Sequence, residues 1–198
     1  MTAILKVDEI QDTAGNLIIK EDSNTITVGA SGDTITIPSG ATINVAGTLN
    51  KGGVAVANTP TFHAYRSSTL SVPNTTQTLV TFDTEAFDSA SAYDTSTGKF
   101  TPQVAGKYVV YTQVTPNSAS DFDVFEAQLY KNAVTTAGTQ ALCRGRNEAH
   151  ETKYINRIVE FNGSTDFVYV YVYQNSGSSV DVRGTKYDTF FGAYKIIE

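Results

Sequence analysis

Tryptophan is absent from this sequence of 198 residues, cysteine and methionine occur once each, and histidine occurs twice. Charged residues make up 17%, below the roughly 25% usual for globular proteins. With Cys143 as the single cysteine, no intramolecular disulfide can form, so stability must come from packing or oligomerisation. Neither Cys nor His adjoins Cys143 to activate it, which favours an inert thiol over a reactive one. His63 and His150 stand far apart and belong to no HExxH or His-rich ligand spacing. There is no Gly-x-Ser-x-Gly elbow and no phosphate-binding glycine loop. These absences argue against an enzyme.

A formal net charge of -6 and a pI near 4.9 argue against nucleic acid, which needs clustered Lys and Arg to release phosphate counterions. The one short basic cluster, Arg144-Gly145-Arg146, is followed closely by Glu148 and Glu151 and reads as a solvated loop. The opening MTAILKVDEIQDTAGN has neither the basic start nor the apolar core of a secretory leader, and no later run is long enough to span a membrane. The expectation is a protein that is not inserted in a membrane and not exported by the general secretory route.

Thr, Val, Ser, Gly, Tyr and Phe, the residues of strands and tight turns, are abundant. Residues 1–20 hold two apolar stretches around the turn Asp12-Thr13-Ala14-Gly15-Asn16, which suits two short strands or a small docking element. Over 25–47 a short unit repeats: Thr25-Ile26-Thr27-Val28, Thr34-Ile35-Thr36-Ile37 and Thr42-Ile43-Asn44-Val45. Each unit puts two β-branched apolar residues on one face, too little surface to stand alone. The repeat therefore asks for partners, as a β-shaft wound with other copies, the alternative being a loose hairpin. Residues 48–60 read as a connector ending in Pro60.

From Thr61 onward the expected strands are Phe62–Ser67, Gln77–Phe82, Lys99–Pro102, Gly106–Thr115, Val124–Lys131, Lys153–Phe161, Phe167–Gln174, Val180–Arg183 and Phe190–Ile197. In the seventh, Phe167, Tyr169, Tyr171 and Tyr173 alternate with Val168, Val170 and Val172, the pattern of a strand covered on both faces. Many short strands without helices between them predict an all-β sandwich or jelly roll.

The run Tyr93-Asp94-Thr95-Ser96-Thr97-Gly98-Lys99-Phe100-Thr101-Pro102-Gln103-Val104-Ala105-Gly106-Lys107-Tyr108-Val109-Val110 resembles the signature of the globular head of complement subcomponent q, a branch of the tumour necrosis factor-like superfamily. Leu129-Tyr130-Lys131-Asn132 and Phe190-Phe191-Gly192-Ala193-Tyr194-Lys195-Ile196 resemble the family's later Leu-x-Lys-Asn and Phe-x-Gly strands. The sequence departs from the family in having Pro102 where several relatives carry Cys, and no collagen-like stalk precedes the head. The resemblance implies a jelly-roll sandwich of about ten strands over 61–198 that packs around a threefold axis. Tyr108, Tyr169, Tyr171, Tyr173, Phe190 and Phe191 are the candidates for its core or for that axis, two locations the pattern does not separate. Residues 1–50 are similar to the N-terminal region of fibre and appendage proteins of tailed bacteriophages. That similarity implies a virion-attachment segment over 1–24, a trimeric shaft over 25–47, and assembly in the host cytoplasm.

If strands run alternately up and down, the connections at 116–123, 162–166 and 184–189 are expected to share the end remote from the shaft. They carry Asn117, Asp121, Asp123, Asn162, Ser164, Asp166, Lys186 and Asp188, the candidate distal binding loops. Asp121, Asp123, Asp166 and Asp188 offer hard oxygen ligands of the kind calcium takes, but no EF-hand spacing occurs, which favours solvated acidic loops. No other cofactor is implied. The expected function is a homotrimeric fibre or spike of a tailed bacteriophage, docked to other virion proteins through residues 1–20, with a head that binds a glycan or protein of the host surface. The alternatives are a head decoration or head-fibre protein, and a non-viral complement-q-like ligand or adhesin. A polysaccharide-cleaving fibre would need paired carboxylates on a long solenoid, for which a 23-residue shaft leaves no room.

Overall fold

The computed structural model describes residues 9–11, 13–15, 17–22, 25–28, 31–51, 54–55, 57–117, 124–132, 141–145 and 151–197. The chain divides into two compact units, Met1–Leu49 and Asn50–Glu198. In the first, β1 (Glu9–Gln11), β2 (Leu17–Asp22) and β3 (Thr25–Val28) form an antiparallel sheet in that order. Gly15 turns the first hairpin at φ +85, where a residue without Cβ is unstrained. Only the first unit of the repeat is a strand. Residues 34–37 and 42–45 form none, and Ile26, Ile35, Ile37, Ile43 and Val45 are all exposed. Three four-residue rungs in one chain bury too little to offset the entropy of ordering them.

The second unit opens with a two-residue hairpin, β4 (Asn50–Lys51) and β5 (Val54–Ala55). Its other strands are β6 (Thr61–Tyr65), β7 (Leu70–Val72), β8 (Thr78–Val80), β9 (Thr84–Asp88), β10 (Tyr93–Asp94), β11 (Lys99–Phe100), β12 (Gly106–Val114), β13 (Pro116–Asn117), β14 (Phe125–Lys131), β15 (Ala141–Gly145), β16 (Lys153–Phe161), β17 (Val168–Gln174), β18 (Val180–Val182) and β19 (Phe190–Lys195). One sheet runs β16-β12-β19-β6-β9, the facing one runs β10-β11-β17-β14-β15 with β8 also on β17, and a small sheet β13-β18-β7 joins the remaining segments. Among the described residues every strand pairing is antiparallel and no helix occurs. This is the expected all-β jelly roll.

Phe62 lies at the centre of the core. Its ring stacks on Tyr93 at 4.8 Å and on Phe100 at 4.5 Å, and Phe191 meets it edge-on at 5.0 Å. Phe100 and Tyr108 both meet Phe161 edge-on, and Val110, Val168, Val170 and Val172 complete the interior. Several residues of the 93–110 motif have a structural task of their own. The Tyr93 hydroxyl accepts a bond from the Phe82 N–H. The Asp94 carboxylate accepts bonds from the hydroxyls and N–H groups of Ser96 and Thr97, which hold its pKa at about 2. Gly98 closes that turn at φ +68, and the Tyr108 hydroxyl donates to the Val104 carbonyl.

Five strands of the head escape the sequence reading: β7, β9, β10, β13 and β15. β9 is a largely exposed edge strand that mixes polar residues with Ala86 and Phe87, and β15 is a five-residue edge strand. Neither needs the alternation that marks a half-buried strand.

The loop at 162–166 is tied to the end of β14. Asp166 accepts a 2.8 Å salt bridge from Lys131, a bond from the Asn132 amide at 2.7 Å and one from the Asn162 N–H at 2.9 Å. Asn132, at φ 57, also exchanges bonds with the backbone of Phe167, which explains the Asn of the Leu-x-Lys-Asn strand end. Burial pushes the Asp166 pKa up, but bonds from Lys131, Asn132 and Asn162 outweigh it and the net shift is downward. A depressed folded-state pKa means the stabilisation is complete above the unfolded value of about 3.9 and is lost as pH falls through the folded one. Asp166→Asn is expected to cost about 2 kcal/mol at neutral pH and to remove that part of the acid loss, as read from urea unfolding between pH 7 and pH 3.

Candidate functional site: an uncharged aromatic face

Beyond Lys107 and Glu160, which pair at the end where β12 begins, the outward face of the five-stranded sheet presents three cross-strand rows. They are His63, Gly192, Tyr111 and Asn156; Tyr65, Phe190, Gln113 and Tyr154; and Thr61, Tyr194, Val109 and Ile158. None of the twelve is an acid, a Lys or an Arg. Phe87 continues the first row at the edge, opposite His63. Tyr154 and Phe87 are each 51% exposed, Ile158 65% and Tyr194 41%. Contiguous apolar exposure of this kind makes the face a candidate interaction surface, because a free chain gains nothing from hydrating it.

Gly192 sets the shape of the face. A Cβ there would fall 2.3 Å from Cζ and Oη of Tyr111. Its absence lets the Tyr111 ring lie across β19, with the hydroxyl 3.1 Å from Nδ1 of His63. His63 also stacks near Phe87 and Phe190. The ring system is therefore held before any partner arrives. Burial lowers the pKa of His63, and burial with neighbouring Tyr154 and Tyr194 raises that of Tyr111, so both are neutral at pH 7.

The described candidate residues fall in five places. Tyr108 and Phe191 are fully buried in the core, and Phe190 lies on the aromatic face. Tyr169, Tyr171 and Tyr173 lie on the outer side of the opposite sheet, with the β17 valines inside. The loops are divided between the two ends of the sandwich. Gly106 at the start of β12 pairs with Phe161, whereas Gln113 near its end pairs with Phe190. Loop 162–166, with Asn162, Ser164 and Asp166, thus lies about 26 Å along β12 from loop 184–189, with Lys186 and Asp188.

Thr61 pairs with Tyr194, so loop 162–166 sits at the end where β6 begins, not the remote end. The cause is β15: omitting one strand from an up-and-down count reverses every later connection. Loop 184–189 remains at the remote end because the short β18 turns back there to pair with β7 and β13 instead of crossing the sandwich. Asn117 is exposed at that end beside Asp181. Asp188 accepts from the Thr185 hydroxyl at 2.8 Å and meets Arg183 at 3.6 Å. The four carboxylates grouped as calcium candidates therefore do not share one end, since Asp166 and Asp188 are separated and Asp121 and Asp123 lie outside the described residues. His150 and Arg146 lie outside them too. Among the described residues, no three His, Cys, Asp or Glu converge on a metal position.

In the sequence the aromatic face is overshadowed by the unbroken Tyr alternation of β17. A signal for it was present, since Val109, Tyr111 and Gln113 are as free of charge as the core-facing side of their strand.

Because the folded-state pKa of His63 is lowered, the unfolded chain takes up more protons as pH drops, and stability is lost below the unfolded value of about 6.5. The unfolding midpoint in urea is expected to fall between pH 7 and pH 5, and His63→Gln is expected to flatten that portion of the profile.

The sequence profile of the C1q domain family matches residues 61–194. No curated protein matches the chain. Among solved structures, murine APRIL at pH 8.0 superposes with a TM-score of 0.55 at 14% identity, covering 69% of this chain and 98% of that one. The PRD1 vertex protein P5 gives 0.52 at 11% identity, covering 71% and 99%. The globular domain of zebrafish complement 1qA gives 0.49 at 17% identity, covering 69% and 97%. With a family profile spanning two thirds of its length, the chain belongs to the C1q domain family.

Proposed function

We propose that this chain is a structural virion protein of a tailed bacteriophage, a homotrimeric fibre or spike whose jelly-roll head binds the host surface. The observation that carries the reading is the pair of apolar surfaces left open in a single chain. One is the uncharged aromatic face around Tyr111, Tyr154 and Ile158; the other is the row of exposed Ile and Val side chains over 26–45. Both surfaces suit self-association, the first as a core-like interface between heads and the second as a shaft wound from several copies. Trimer formation is common among C1q and tumour necrosis factor-like domains, which supports three as the number. In this reading residues 1–20 dock to other virion proteins.

A second reading, a head decoration or head-fibre protein, draws on one observation: the PRD1 vertex protein P5 shares the fold over nearly its full length. The two readings differ only in where the trimer is mounted. Labelling of purified virions with an antibody to this chain separates tail from capsid, and finding the chain on neither overturns both.

Sedimentation equilibrium of the full chain is expected to give three times the 21.3 kDa chain mass. Ile158→Arg, which places a charge in the aromatic face, is expected to weaken association by about 2 kcal/mol or more, roughly thirtyfold. A monomer at micromolar concentration, unchanged by deleting residues 1–50, removes the reading.

A further inference from the structure

On the sheet opposite the aromatic face, Leu79, Thr97, Lys99, Phe167, Tyr169 and Tyr171 enclose an open pocket of about 190 Å³. It is smaller than the roughly 300–1,000 Å³ of drug-sized sites, which limits it to a single ring-sized group. Its aromatic wall is rigid. Phe167 stacks on Tyr169 at 5.8 Å, Tyr169 stacks on Tyr130 at 5.8 Å, and Tyr171 meets both tyrosines edge-on. Beside the wall, on the neighbouring β14, Tyr130 donates to Gln128 at 2.7 Å, and Gln128 donates to Glu126 at 2.7 Å. Tyr130, Gln128 and Glu126 are all buried, so a ligand ordering against this wall meets side chains already immobilised.

The charge in the pocket is a cation. Lys99 holds its ammonium 4.4 Å from the centre of the Phe167 ring. Its cross-strand neighbour Asp94 turns its carboxylate into the Ser96–Thr97 turn instead. Among the described residues no carboxylate lies within ion-pair distance of Lys99. The Thr97 hydroxyl gives its proton to Asp94 at 2.8 Å and keeps lone pairs for a donor. A partly exposed tyrosine face, one cation and one hydroxyl acceptor together match a ring with an apolar C–H face, an anionic substituent and hydroxyl groups.

We propose that this pocket binds a single pyranose bearing a carboxylate, an acidic sugar of the uronic type. The ring stacks on Tyr171, the carboxylate pairs with Lys99, and a sugar hydroxyl donates to Thr97. The pocket lies on the sheet facing away from the self-association face, so a trimer formed through that face leaves it open. The source of the sugar, a host glycan, rests on the attachment reading above, whereas the binding chemistry does not.

The test uses the full chain, with ligand-observed NMR and calorimetry. The probes are methyl glucuronoside, methyl glucoside, acetate and a short acidic peptide. The glucuronoside is expected to bind with a Kd on the order of 1 mM, the range open to so small a ligand, and at least about fivefold tighter than the glucoside. Lys99→Met is expected to abolish that preference. Tyr171→Ala is expected to weaken the glucuronoside at least about fivefold, while Tyr171→Phe keeps it within about twofold. Asp188→Asn, at the remote end, is expected to change nothing. The proposal is overturned if the glucuronoside shows no binding at about 20 mM, if acetate or the peptide binds as tightly, or if Lys99→Met leaves the preference intact. Because Lys99 is partly exposed and its loss leaves the core untouched, that variant decides the matter even where Tyr171→Ala unfolds. Sedimentation and virion labelling are read separately, so failure here leaves the trimer and its location standing.

Discussion

The Phe62 ring stack is the interaction on which the head depends. Three segments distant in sequence, β6, the β10–β11 hairpin and β19, place Phe62, Tyr93, Phe100 and Phe191 in contact. These rings come from both sheets of the sandwich, so a single cluster sets the spacing between the sheets and the register of the strands that carry it. The C1q motif is largely the set of residues this cluster needs. Tyr93 and Phe100 enter the stack, Asp94 and Gly98 make the turn that brings them together, and Tyr108 closes the next strand over Phe161. A motif with such a structural task identifies a fold and says little about a ligand.

Once the inward side chains are committed to that cluster, alternation leaves two outward faces, and they differ in chemistry. On the β12 sheet, Gly192 makes room for Tyr111 to lie flat, and the result is broad, aromatic and uncharged. On the β17 sheet, the tyrosines lie beside a buried network of Gln128 and Glu126 and open at a small pocket with one lysine. A broad uncharged face suits burial against another copy, whereas a narrow pocket with a cation suits a small anionic ligand. Assembly and recognition can therefore occupy opposite sides of one sandwich without competing.

Much of the fold was legible in the sequence. β16 matches its expected span, and β12, β14 and β17 fall within a residue of theirs, because a strand covered on one or both faces shows its alternation locally. β9 and β15 were illegible because edge strands have no inner neighbour on one side to impose a pattern. The candidate site was legible only in part. Phe190 does lie on the aromatic face, but His63, Tyr111, Tyr154 and Ile158 belong to it through pairings between strands up to about 130 residues apart, which no local period reports.

By itself the sequence determined the class of fold, the strands of the core and the family, since alternation, turn residues and motif spacing are all short-range properties. Tertiary structure alone decided which end of the sandwich each loop occupies and which tyrosines are core, face or pocket. The direction of a chain after several reversals depends on every strand before it, so the edge strand β15 and a β18 that does not cross the sandwich together put Asp166 at the opposite end from Asp188. Whether a tyrosine is buried depends in turn on what lies above its sheet, and that is a property of distant segments rather than of the strand that bears it.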